Sequence, residues 1–167
     1  HRSAESTVLH AGDRFMHRAF TLIEIVVVVI VIGILAAIAA PKFVGAQADT
    51  ELTSTAEDLR AIENALSMYY AKNGSYPRDV NRSQAVSVLG PYFKADNPFE
   101  KLAPIGGVYD YEGPPNWSPV QISIRSESRG SHSQATALEL DEYMDNGDLS
   151  TGSIRRKGNR TYYIIGE

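Results

Sequence analysis

Phe20 to Ala40, FTLIEIVVVVIVIGILAAIAA, is a run of twenty-one residues that holds one formal charge, Glu24. A helix rises about 1.5 Å per residue, so the run matches the roughly 30 Å hydrocarbon core of a bilayer. It therefore reads as a membrane-length helix. A secretory signal has an apolar core of only about 7–15 residues, which this run exceeds, although Ala37-Ile38-Ala39 would supply a small-x-small cut site. A plain transmembrane anchor fits the length but leaves Glu24 without a reason, since a charge costs roughly 2.5–3.5 kcal/mol at the centre of a spanning helix and less towards the interface.

After Pro41 the pattern becomes amphipathic. Leu52, Ala56, Leu59, Ile62, Leu66, Tyr69 and Tyr70 recur at three or four residues, as one helical face requires, while Glu51, Glu57, Asp58, Arg60 and Glu63 are assigned to other faces. Asn73-Gly74 supplies a left-handed stop and Pro77 bars resumption. One helix is thus predicted from Thr21 to Ala71, about 51 residues or roughly 75 Å. Gly33 and Pro41 are the two helix-weakening residues inside it, by about 1 kcal/mol for Gly and by loss of a backbone donor for Pro.

The remainder reads as small-domain sequence. A short helix is expected at Ser83–Leu89. Turn-rich but aromatic-rich sequence then runs to Pro119, with Tyr92, Phe93, Phe99, Tyr109, Tyr111 and Trp117 expected to pack over the long helix. Alternation predicts strands at Val108–Tyr111, Val120–Arg125 and Thr161–Ile165, a helix at Ala135–Met144, and a basic hairpin-like stretch at Arg155–Arg160. The expected class is α+β, a long N-terminal helix packed on a small antiparallel sheet.

Phe20-Thr21-Leu22-Ile23-Glu24, following the basic leader His17-Arg18-Ala19, resembles the processing site of type IV pilins and of the pseudopilins of type II secretion. Tyr69 to Pro77, YYAKNGSYP, is similar to the end of the long helix in that family. The resemblance implies cleavage by a prepilin peptidase between Ala19 and Phe20, methylation of the new amino terminus, and a role for Glu24 as the assembly carboxylate. Ala19 stands where the family usually has Gly, and it too is small. The freed ammonium of Phe20 on a neighbouring subunit is then the expected mate of Glu24, a pairing that sets register more than net stability. Gly33 and Pro41 fall where such a helix melts on passing from membrane to filament, or else simply kink it.

Three segments follow: a leader over 1–19, whose true start is read as Met16; a transmembrane and filament-core helix over 20–45; and a globular domain over 46–167. Losing the leader with Arg2, Arg14, Arg18, Glu5 and Asp13 takes the formal charge from −4 to −5. No broad nucleic-acid face is expected at that charge, and the local basic run is Arg155-Arg156-Lys157. Cysteine is absent, so no disulfide closes the domain.

No catalytic constellation is legible. His132, in Arg129-Gly130-Ser131-His132-Ser133, reads as a solvated loop residue, and there is neither a P-loop, nor GxGxxG, nor a metal-spaced Cys/His cluster. Metal and cofactor are both set at none, with one calcium candidate at the turn Asp145-Asn146-Gly147-Asp148 beside Asp141-Glu142. The plain alternative is a helix C-terminal turn, with Glu139 and Asp141 facing water.

The function expected is a structural subunit, not an enzyme: a type IV pilus-like filament, or alternatively a type II secretion pseudopilin. A membrane-anchored periplasmic binding protein is the rival from another class. The expected partners are further copies of the chain, the prepilin peptidase, and an inner-membrane platform with its ATPase. The expected location is the inner membrane before assembly, and the periplasm or cell exterior afterwards.

Overall fold

The computed structural model describes residues 21–94, 96–128 and 130–165. Helix α1 runs Leu22–Asn73, within two residues of the predicted bounds at each end. Its assignment is unbroken at Gly33 and Pro41, and two compact units divide between Lys42 and Phe43. The described residues of the first unit are helical from Leu22 onward.

In the second unit, α1 stops as its sequence requires. Gly74 adopts φ +75°, its N–H donates to Tyr70 O at 2.8 Å, and Asn73 Nδ2 donates to Tyr69 O at 2.8 Å. Helix α2, Arg82–Leu89, starts one residue before Ser83 because Asn81 and Gln84 form a capping box. Two 3-10 turns follow, Gly90–Tyr92 and Pro98–Glu100. Strands β1 (Val108–Glu112) and β2 (Val120–Arg125) precede helix α3 (Gln134–Met144), then β3 (Ile154–Lys157) and β4 (Arg160–Ile165).

The four strands form one antiparallel sheet in the order β1-β2-β4-β3. The basic stretch is more than a turn: Ile154–Lys157 is a full edge strand, closed onto β4 by Gly158-Asn159, where Gly158 takes φ +62°. The register sets Tyr109 opposite Ile124, Tyr111 opposite Ile122 and Ile122 opposite Tyr163. Tyr109, Tyr111, Ile122 and Ile124 therefore share one face, and they join Ala56, Leu59, Ile62 and Leu66 of α1 in one buried core. Phe99, Leu140 and Ile154 extend it.

Polar side chains of α1 also turn inward. Asp58, assigned from periodicity to another face, is buried; it accepts the Tyr109 hydroxyl at 3.1 Å and pairs with Lys101 Nζ at 2.9 Å. Thr55 Oγ1 accepts from Ile105 N at 3.2 Å, and Glu63 accepts the Tyr163 hydroxyl at 2.7 Å. These bonds satisfy groups that burial would otherwise penalise. Tyr70, expected on the core face, is instead exposed and lies against Tyr76 with ring centroids 4.8 Å apart.

His132 corrects the expectation of a solvated loop: it is 6% exposed. Nδ1 lies 3.1 Å from Gly106 O and Nε2 lies 2.8 Å from Thr161 Oγ1. Because Gly106 O can only accept, the network assigns the proton to Nδ1, and Nε2 accepts from Thr161. Thr161 Oγ1 in turn accepts from Arg156 Nη1 at 3.1 Å. Burial, then the Arg156 charge, hold the imidazole below its ordinary pKa. The folded state thus binds this proton less readily than the unfolded chain, whose histidine titrates at about 6.5, so His132's contribution is intact above that pH and is lost as pH falls below it. Denaturant unfolding of the full chain in detergent should therefore lose more stability between about pH 7 and pH 5 than His132→Gln does. Equal pH slopes in the two proteins would exclude His132 as the cause.

Candidate functional site

Within the first unit, side chains from Leu22 to Ile38 stand free. Leu22 is 83% and Ile38 60% exposed, and the large aliphatic side chains between them are likewise exposed. Helix α1 is long and apolar enough to cross a membrane. A free surface of branched aliphatics is unstable in water, which leaves lipid or other helices as its surroundings.

Glu24 has a local partner that the sequence reading overlooked. Its Oε2 accepts from Thr21 N and from Thr21 Oγ1, both at 2.8 Å, while Glu24 N donates to Thr21 Oγ1 at 3.3 Å. Thr21-Leu22-Ile23-Glu24 is thus a capping box, a pattern readable from Thr-x-x-Glu alone. The carboxylate sits in the first turn of α1, where backbone N–H groups lack helical acceptors and favour negative charge. It has solvent-facing space for a second partner, since the residue is exposed. Gly33 presents an open surface, with nothing within 4 Å of where a Cβ would stand. Ala19 and Phe20, the expected processing pair, lie outside the described residues.

The acidic turn lies in the second unit, at the end of α3. Asp145 Oδ2 accepts from the backbone N–H groups of Ser153 and Ile154 and so ties the loop to the start of β3. Gly152, at φ +69°, passes so close to that carboxylate that a side chain has no room. Asp148 Oδ1 accepts from Ser150 N at 3.0 Å and Ser150 Oγ at 2.6 Å, bonds that hold its carboxyl below the ordinary range.

Asp141 was expected to face water, and it does not. It is 0% exposed, and among the described residues no donor meets hydrogen-bond geometry to either carboxylate oxygen, the Asp148 N–H being the one that acts on it from nearby. The nearby Asp148 N–H donates to Asn146 Oδ1 at 2.9 Å. Burial first, then the charges of Asp145 and Asp148, push the Asp141 carboxyl above its ordinary pKa. A buried carboxylate without a donor is costly unless it takes a proton or a cation. Among the described residues no three acidic, His or Cys side chains converge tightly on one point, so any cation here would rely on Asp141 together with backbone and side-chain oxygens of the turn. The sequence placed Asp141 beside the turn but not its burial, because what buries it is tertiary.

Residues 14–40 match the family model of the prokaryotic N-terminal methylation motif. The chain is 32% identical over 117 residues to the type II secretion system core protein G of Klebsiella michiganensis, covering 65% of this chain and 82% of that one. It is 42% identical to the protein of the same name from Escherichia coli K12, over 63% of this chain and 64% of the other. Among solved structures it is similar to the major Type IV pilin PilA1 from Clostridium difficile, with a TM-score of 0.49 and 16% identity over 70% of this chain and 95% of that one.

Proposed function

This chain belongs to the family of the type II secretion system core protein G, and from that premise we propose that it is a pseudopilin, a filament subunit held in the membrane by its N-terminal helix before assembly. Of the two filament readings that the processing motif allowed, the pseudopilin takes precedence because the family carries that system's name. The observation that carries the proposal is the bare aliphatic surface from Leu22 to Ile38 with one carboxylate at its start. A surface of that kind is inert as chemistry and effective as packing, since lipid and neighbouring helices are equally apolar surroundings for it. The work of extrusion falls to a partner, because the chain has no phosphate-binding loop. An inner-membrane platform with its ATPase supplies it, and the subunit moves from the inner membrane into a filament in the periplasm that can extend to the cell exterior.

Processing follows from the same motif. A prepilin peptidase is to cut between Ala19 and Phe20, and the new amine is to be methylated. Mass spectrometry of the native N-terminal peptide should therefore begin at Phe20 and carry one extra methyl group. A terminus at Ala40 or Pro41, or a retained leader, would contradict it. Ala19→Arg should block the cut, since a bulky charge before the scissile bond is a larger insult than a change after it.

The C-terminal turn is proposed to take calcium. Asp141 would supply the orphan carboxylate, with Asp145 and Asp148 beside it and carbonyl oxygens of the turn completing the shell. Calcium there would neutralise the buried charge and fix the segment that a disulfide does not close.

A further inference from the structure

We propose that a groove on the outer face of the sheet receives helix α3 of a second copy of this chain; the inference rests on the filament reading above. Strand alternation divides the basic run Arg155-Arg156-Lys157. Arg156 turns inward to Thr161 and His132 O, while Arg155 and Lys157 face outward beside Arg160 of β4. Together with Trp117, Tyr162 and Ile164 they line an open groove of about 600 Å³. The indole and phenol rings stand 6.5 Å apart on its floor.

The charge of this groove is not spent at home. Arg160 pairs with Glu112 at 2.9 Å, but among the described residues neither Arg155 nor Lys157 has a carboxylate within 4.0 Å. Arg155 Nε donates to Gly152 O at 2.9 Å, which plants the guanidinium at the rim. A basic, aromatic-floored groove on a chain of net charge −4 calls for a partner that is acidic and partly apolar.

Helix α3 presents that partner. Leu138 is 36% and Tyr143 50% exposed, and Glu139 and Glu142 are exposed between them with no cation paired to either among the described residues. Positions 138, 139, 142 and 143 fall on one helical stripe by their three- and four-residue spacing. The two carboxylates stand one turn apart, roughly 5–6 Å between Cβ atoms. Arg155 and Lys157, two residues apart on a strand, are separated by roughly 6.6 Å. The spacings match, and Leu138 and Tyr143 have an aromatic floor to meet. Because the two surfaces are different patches of one molecule, the contact is head-to-tail and propagates instead of closing as a dimer.

The chain has no cysteine, so introduced thiols report without background. Ala135→Cys lies at the start of α3 and Asn159→Cys at the edge of the groove, and neither is one of the charged or aromatic residues invoked. Produced together as full chains with different tags, and treated with a short bis-maleimide in sheared filaments, they should give a dimer carrying both tags at about tenfold the yield of either same-site dimer. Arg155→Glu with Lys157→Glu should lower filament yield roughly tenfold at constant membrane-bound subunit, and adding Glu139→Lys with Glu142→Lys should restore it. Normal filaments without the mixed dimer would overturn the groove contact and leave the pseudopilin reading standing. Cells whose wild-type chain enters no filament would overturn both.

Discussion

Glu24→Ala should abolish filaments while leaving membrane insertion and leader cleavage intact, because removing a charge makes the first turn of α1 more apolar. Two contributions are lost together. The first is the glutamate half of the capping box with Thr21, a local contribution at the exposed start of α1. The second is the proposed pairing with the Phe20 ammonium of a neighbouring subunit, whose removal strands a charge among apolar helices at a cost of about 3–5 kcal/mol. The second term decides assembly, since 3 kcal/mol already exceeds a hundredfold in association.

Glu24→Gln separates the two contributions. Glutamine serves at the third position of a capping box as glutamate does, so this variant retains the local structure and loses only the charge. If the ammonium is the partner, Gln should fail nearly as completely as Ala. If the capping box is the whole role of Glu24, Gln should assemble normally and Ala should show only a mild loss. The measurement is filament sheared from cells against total membrane-bound subunit. Normal yield from Glu24→Ala would exclude both roles.

How far the fold was legible depends on where each determinant lies. The long helix came from three- and four-residue spacing and the Asn73-Gly74 stop, both local, and Val120–Arg125 was bounded correctly by alternation. His132 could not be read this way. The groups that bury and bond it, Gly106 and Thr161, stand 26 and 29 residues away, and its Ser-Gly-rich neighbours point towards solvent. Asp58 and Asp141 fail for a related reason: charge predicts exposure, whereas Tyr109 and Lys101 draw Asp58 inward and the packing of α3 encloses Asp141. The capping role of Glu24 is a different kind of omission, since Thr21-x-x-Glu24 was complete in the sequence.

Calcium should raise the thermal midpoint of the full chain in detergent, and Asp141→Asn should erase that increment. A ligand that binds only the folded chain stabilises it by about 2.7 kcal/mol at a hundredfold excess over its Kd. For a chain of this size that corresponds to roughly 5–10 °C. In chelator the same substitution should act in the opposite direction. Both oxygens of Asp141 are buried without a donor, so asparagine relieves an uncompensated charge and should match or exceed the wild type by about 1 kcal/mol, limited by the new amide's own need for partners. Asp148→Ala should behave differently, because its carboxylate also accepts from Ser150 N and Oγ. It should weaken the calcium response and lower the calcium-free stability too, through the lost hydrogen bonds. The plain-turn alternative predicts no calcium shift in any of the three proteins. Magnesium is the internal control: it demands near-ideal octahedral geometry and dehydrates reluctantly, so a turn built from one orphan carboxylate and flexible carbonyls should respond to calcium well before it responds to magnesium.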